Sequence, residues 1–466
     1  MEVVIGLEIH VQLATRTKLF CPCSTDYFEA PPNTKTCPVC LGLPGALPVL
    51  NEKAVELALR VALALNAEIQ EVSQFDRKNY FYPDLPKGYQ ITQRAVPLAR
   101  GGFLPLSVEG EPKTVRIREL HLEEDAGKLI HTETRTLIDF NRCGVPLVEI
   151  VTEPDLRSPR EAREFLRALR TLLRHLEVSN ADMEKGELRC DANVSISVDG
   201  RPGTKTEIKN LNSFRAVEKA LSAAIEYQKE RIARGEAVEQ VTFGWDEGSD
   251  SLVVQRVKEE AHDYRYFPEP DLVPLVVTPD WIARVRAGMP ELPWERAARW
   301  AREFGVPVRE ATALLAEPIR AKYFEEVAKA VSNPKAAVGW VLSELWPYWT
   351  DEEPPVSVSD LAFLINAVED GKIPRAKAKE ILENAAKGNE RIADLVRAAE
   401  AAILRDEESL RAIAAAVVAE NPQAVADYRA GRTQALGFLV GQAMKKAQGK
   451  ADPKRLAQLI QELLRG

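Results

Sequence analysis

Apolar and polar positions alternate most strictly at the start of the chain. From position 7 onward, Leu7, Ile9, Val11 and Leu13 fall on one side, and Glu8, His10 and Gln12 on the other. That two-residue period predicts a strand with one core face and one polar face. The same reading predicts strands over 114–122, 146–151, 187–197 and 204–210. In the fourth of these strands (187–197), Leu188, Cys190, Ala192, Val194 and Ile196 oppose Arg189, Asp191, Asn193 and two serines. In the fifth (204–210), Lys205, Glu207 and Lys209 share a face. Glu149 interrupts an otherwise apolar strand, where a lone carboxylate would cost several kcal/mol or take up a proton. Helices are predicted over 51–65, after the Ser158-Pro159-Arg160-Glu161 start signal, and after Asn212-Ser213. Past Gly288-Met289-Pro290 the strand pattern stops. Ala-, Leu-, Glu- and Arg-rich helical segments run to the end, among them one with Leu436, Leu439, Val440 and Ala443 at helical spacing.

Bulk properties narrow the classes. A chain of 466 residues is too long for one core, so two to four domains are expected. Charged residues are 28% and hydrophobic residues 45%, an ordinary globular balance. No apolar run reaches 18 residues and no basic leader precedes the first strand, so the expectation is a cytoplasmic protein with no membrane partner. The net charge of −8 argues against indiscriminate nucleic-acid binding. Between 429 and 455, however, seven basic residues meet only one acid, Asp452. That cationic stretch makes Arg432, Lys445, Lys446 and Lys450 candidates for nucleic-acid contact; the plainer alternative is solvated helix faces.

Four of the six cysteines cluster as Cys21-Pro-Cys23 and Cys37-Pro-Val-Cys40. Two close pairs around a turn-rich loop suit a closed, structural zinc site, against the alternative of four reduced, unliganded thiols. Cys143 and Cys190 read as core. Elsewhere Glu8, His10, Glu124, Glu149 and Asp191 offer hard oxygen ligands and one imidazole, a mix suited to Mg²⁺ or Mn²⁺. Lys128, Arg189, Lys205 and Lys209 would suit the phosphates that accompany such ions. No Walker A sequence occurs. Residues 75–90 and 264–271 interleave aromatic and basic residues, which either stack bases beside phosphates or form packed loops.

Several ordered segments carry a resemblance to a known family. They are Val4 through His10, 75–90, His121 through Lys128, 187–193, Lys209 through Ser213, and 263–274. They closely resemble the GatB/GatE family of tRNA-dependent amidotransferase subunits, over essentially the whole chain. The stretch from Gly437 to Lys445 is similar to the family's YqeY-related terminal domain.

The resemblance implies an α+β fold: a catalytic "cradle" with a mixed or antiparallel sheet over 1–292, an all-α domain over 293–402 and a small all-α tail over 403–466. It implies a ligase that uses ATP and Mg²⁺ to phosphorylate the side-chain carboxylate of Glu-tRNA(Gln) or Asp-tRNA(Asn). Ammonia from a GatA glutaminase subunit then displaces the phosphate, with a small GatC subunit completing a heterotrimer. A non-discriminating aminoacyl-tRNA synthetase is a further partner that the resemblance suggests. The family's metal site resembles His10, Glu124, Glu149 and Asp191 here, with Glu8 and Glu123 as neighbours on the same segments. The four cysteines match the zinc-bearing members. Rival readings are a tRNA-binding subunit without chemistry, and a ligase for a free amino acid.

Overall fold

The structure is a computed structural model, and it describes residues 1–257, 264–350, 353–388, 391–401, 407–447 and 451–465. The expected tail boundary at 402/403, Lys450 and the first residue of the 263–274 segment lie outside the described residues. The chain forms two compact units, Met1–Arg296 and Ala297–Gly466, and is α+β overall.

The first strand, β1 (Glu2–Gln12), lies in the middle of a ten-stranded sheet. The other strands that matter here are β2 (Asp76–Asn79), β3 (Tyr89–Thr92), β4 (Glu111–Glu124), β5 (Pro146–Thr152), β6 (Leu188–Ser197), β7 (Thr206–Leu211), β8 (Val241–Asp246) and β9 (Ser251–Val257). The sheet runs β9-β8-β7-β6-β1-β5-β4, continues through two short strands, Ala99–Arg100 and Glu68–Ile69, and takes Phe103–Val108 on β4. Every pairing is antiparallel except β7 with β8, so the sheet is mixed.

Alternation explains β1's central place. Ile5, Leu7, Ile9 and Val11 are each at most 1% exposed and belong to one large core. That core is closed by α1 (Glu52–Ala64), α2 (Pro159–His175) and α3 (Phe214–Ala233). Each helix begins where local chemistry dictates. The side chains of Asn51, Ser158 and Ser213 accept hydrogen bonds from the first free backbone N–H groups, and α2 has proline in its first turn. Cys143 and Cys190 are buried. With helices on one face, the polar residues of β1, β4, β5 and β6 are left together on the other.

The second unit is helical and holds two separate cores. One is built on Trp300, Phe324 and Trp340 and includes residues up to Val396; the other runs from Leu410 to Leu464. No helix among the described residues is long and apolar enough to cross a membrane.

Candidate functional site

Strand register assembles the site. His10 lies opposite Glu149 on β5 and Arg189 on β6. Glu149 in turn lies opposite His121 on β4. One row along, Glu8 faces Asp191; in the other direction, Gln12 faces Leu147, which faces Glu123. Residues more than a hundred positions apart thus share one polar patch in the middle of the sheet.

His10, Glu123 and Glu149 form the tightest group: an imidazole nitrogen and two carboxylate oxygens lie within 4.8 Å of one another. His10 Nε2 is 3.3 Å from Glu123 Oε1. Thr92 Oγ1 on β3 donates to Glu123 Oε2 at 3.2 Å. His121 sits between two acids, with Nε2 3.4 Å from Glu119 and Nδ1 3.3 Å from Glu149. The Nδ1 contact is electrostatic, since that buried nitrogen lacks hydrogen-bond geometry to any partner among the described residues.

The charges are tuned against one another. Burial, the largest influence on both carboxylates, favours protonation. In Glu149 it is outweighed by His121, His10 and Lys78, which hold the group down to about 2. In Glu123 burial and the neighbouring Glu149 prevail, and the group is raised. His121 is pushed up to about 10: burial opposes its charge, but Glu119 and Glu149 win. Two close acids that cannot both ionise without help are a ready seat for a cation. The donor set, two carboxylate oxygens and one imidazole, fits Mg²⁺ or Mn²⁺ and leaves coordination positions open.

Other expected site residues take different partners. Glu124 follows Glu123 on β4, so its side chain leaves from the opposite face. There it pairs with Lys87 and accepts from the Ile91 backbone N–H at 3.3 Å. The group brought together is therefore His10, Glu123 and Glu149, where the sequence suggested His10, Glu124, Glu149 and Asp191; the alternation of β4 accounts for the change of glutamate. Asp191 sits at a register shift between β6 and β7 and accepts from Lys209 Nζ at 2.7 Å. Lys209 also lies 3.3 Å from Glu207, and its charge is reinforced despite burial. Glu8 accepts from Asn193 Nδ2 at 3.1 Å. Arg189 is bound to the buried Asp125 at 2.8 Å, and Asp125 also accepts from Gln12 Nε2 at 2.8 Å. Lys128 and Lys205 are exposed and away from the cluster's pairs.

Sequence reasoning passed over His121, Asp125 and Lys78. The first was legible, because Glu119, His121 and Glu123 recur every second residue on one strand face. Lys78, on β2, has its ammonium 5.0 Å from the centre of the Tyr264 ring and 5.8 Å from that of Tyr80. Burial opposes its charge, but Glu123, Tyr266 and Glu149 raise its proton affinity.

The four cysteines converge as their spacing suggests. Their sulfurs lie within 4.8 Å of one another, and those of Cys37 and Cys40 are 3.9 Å apart. Tetrahedral Zn–S bonds of about 2.3 Å require sulfurs about 3.8 Å apart, so the set fits zinc. Cys40 is held as a thiolate, down to about 4, first by the Cys21 thiol and further by Lys18, while Cys21 is raised. Lys18 is fully buried, 3.6 Å from Cys40 Sγ and 2.7 Å from the Lys35 carbonyl.

The basic tail is less bare than its sequence window. Arg432 pairs with Asp427 at 3.1 Å, Lys446 with Glu420 and Arg455 with Glu407. Two of these acids, Glu407 and Glu420, stand at the two ends of one helix outside the 429–455 window, and Asp427 lies just before it. Lys445 is exposed, with no ion pair among the described residues.

A family model described as the GatB/GatE catalytic domain matches residues 3–283, and one described as a GatB domain matches 322–464. The chain is 48% identical over 480 residues to the B subunit of the aspartyl/glutamyl-tRNA(Asn/Gln) amidotransferase of Thermotoga maritima, covering 99% of each chain. It is 49% identical over 470 residues to a Thermus thermophilus protein of the same name, again covering 99% of each. For the Clostridium botulinum protein the figure is 45% over 469 residues, covering 99% of this chain and 98% of the relative. Matched by both models and by full-length relatives at nearly half identity, the chain belongs to the GatB/GatE family.

Proposed function

We propose that the chain is the carboxylate-activating, tRNA-handling subunit of an aspartyl/glutamyl-tRNA(Asn/Gln) amidotransferase, the enzyme for which its relatives are named. The observation that carries the chemistry is the group of His10, Glu123 and Glu149 in the middle of the sheet. A side-chain carboxylate is a poor electrophile, and phosphorylation by ATP gives it a leaving group that ammonia can displace.

His10, Glu123 and Glu149 would hold Mg²⁺ or Mn²⁺, which when bound neutralises phosphate charge. Glu119 and His121 fix the orientation of Glu149 from behind. Glu8 and Asp191, the latter with Lys209, border the same face and complete a polar floor under the reacting groups. Arg189 is spent on Asp125, so it acts by positioning that end of β6 and not by direct phosphate contact. The cysteine site would hold structural zinc. Ammonia would come from a GatA-type amidase partner, with a GatC-type small subunit in the complex. The tail would meet the tRNA body chiefly through Lys445, with Arg432 and Lys446 partly neutralised by their acids.

The test uses this chain co-expressed with its amidase and small subunit, supplied with Glu-tRNA(Gln), ATP, Mg²⁺ and ammonium chloride, without glutamine. Gln-tRNA should form, and Glu123→Gln should lower its rate by about 10³-fold or more while tRNA binding holds. Binding of Glu-tRNA with neither ATP loss nor product would contradict the proposal and favour a tRNA-binding subunit without chemistry.

A further inference from the structure

Three cations near the acidic cluster are already used. Lys209 is bound to Asp191, Arg189 to Asp125 and Lys87 to Glu124. Arg77, one residue before Lys78, is locked in a two-pronged pair with Glu269 at 2.7 and 2.9 Å. Lys78 differs. Among the described residues it has no hydrogen bond and no ion pair, although Glu123 and Glu149 act on its charge from beyond ion-pair range. What surrounds it is aromatic. Tyr264 packs edge-on against both Tyr80 and Tyr266, each at 5.9 Å between ring centres. The ammonium lies over two of these rings. The strand that carries it is pinned: Asp76 accepts from the backbone N–H groups of Arg94 and Ala95 at 2.9 and 2.8 Å, and Asn79 Nδ2 donates to the Arg265 carbonyl at 2.7 Å.

A half-buried ammonium held over rings and without a direct ion pair keeps N–H donors open to a ligand. Tyrosine rings hold a cation in place without neutralising it, so its charge remains available to an incoming anion. The neighbouring cluster is acidic, so an anion that reaches Lys78 is one that arrives together with a divalent cation.

We propose that Lys78 is a catalytic residue that donates to a non-bridging oxygen of the phosphoryl group during its transfer to the side-chain carboxylate; this rests on the function proposed above. In that step a carboxylate oxygen bonds to the γ-phosphorus as the bond from that phosphorus to the β,γ-bridging oxygen breaks. The bond pair leaves with ADP, and an acyl phosphate remains. No proton moves, and Lys78 stays an ammonium throughout. Its part is to offset the charge of two anions brought into contact beside the tyrosine rings, which acts on the transition state more than on ATP binding.

The experiment compares Lys78→Met, Lys78→Arg and Glu123→Gln in the complete complex, measuring Glu-tRNA-dependent ATP turnover, tRNA binding by filter retention, and thermal unfolding. Lys78→Met should lower kcat by about 10²–10³-fold with KM for ATP changed less than about threefold. Melting temperature and tRNA affinity should stay at parent values, and Lys78→Arg should regain part of the rate. A Lys78→Met kcat within about threefold of the parent overturns the proposal, as does a loss of kcat matched by an equal loss of tRNA affinity. Should Lys78→Met not fold, Lys78→Gln is read by the same criteria. If Glu123→Gln also leaves turnover intact, it is the proposed function that fails; if Glu123→Gln abolishes turnover and Lys78→Met does not, only the role of Lys78 fails.

Discussion

Among the described residues, metal-type donors gather in two places, and the two are built in opposite ways. The cysteine site takes four donors from within twenty residues of a loop that is poor in regular structure. The His10 site takes three donors from three strands of a sheet that would stand without it. A closed set of four sulfurs leaves nowhere for a substrate to bind, whereas three hard donors leave room for water and phosphate. Surroundings differ as well. Beside the sulfurs lies one buried ammonium, Lys18, which offsets the excess charge of thiolates. Beside the carboxylates lie His121 and, over tyrosine rings, Lys78, groups that on the proposal above would meet an anion that comes and goes. On the function proposed above, one site would fold a segment and the other would react.

Substitutions should separate the two by what they damage. The largest effect belongs to Glu123→Gln, which should remove activity and leave the melting temperature nearly unchanged. Zinc removal or Cys37→Ser should do the reverse. Metal binding folds such loops with an apparent free energy on the order of 10 kcal/mol. Backbone amides within 21–40 should therefore exchange at least about 10²-fold faster, while those of β1 stay protected. Full protection of the loop without metal would break the comparison.

Glu124→Gln is the intermediate case. The Lys87–Glu124 pair is nearly buried, its side chains 7% and 5% exposed. Losing one partner should cost roughly 3–5 kcal/mol in denaturant unfolding. The double change Lys87→Met with Glu124→Gln should recover most of it, because no uncompensated charge is left. A single variant as stable as the parent would show that the pair is not the reason Glu124 points where it does.

The smallest effect tests the tether between the loop and the two-stranded hairpin of Lys128–His131 and Thr136–Asp139. The Asn33 side chain donates to the Ile138 carbonyl at 3.1 Å and accepts from the Phe140 N–H at 2.8 Å, with a φ of 61°. Asn33→Gly keeps that backbone conformation and removes both bonds, so it should cost about 1 kcal/mol. A loss several times larger would mean that the tether, not the metal, fixes the loop.

How legible each site was in the sequence follows from the same contrast. The cysteines announce themselves because their spacing is local. The strand faces of β1, β5 and β6 were equally plain, since alternation alone puts His10 with Glu8, and Arg189 with Asp191. What alternation cannot give is which of two consecutive acids at a strand end turns inward. Glu123 and Glu124 differ only in parity, and parity needs the register between β4 and β5. Lys78 stood inside a stretch marked as aromatic and basic, but its lack of a direct ion pair depends on where Tyr264 and Glu123 lie, 186 and 45 positions away. In the tail, local spacing misstates the charge. A window of seven bases looked bare until helix packing brought Glu420 and Glu407 beside Lys446 and Arg455.

The most direct test of the account is Mn²⁺ binding to the assembled complex, followed by electron paramagnetic resonance for the parent, Glu123→Gln and Glu124→Gln. The account predicts at least about a tenfold loss of affinity for Glu123→Gln and less than about a threefold change for Glu124→Gln. The opposite order, with Glu124→Gln losing the metal and Glu123→Gln retaining it, would contradict the assignment of His10, Glu123 and Glu149 as the site.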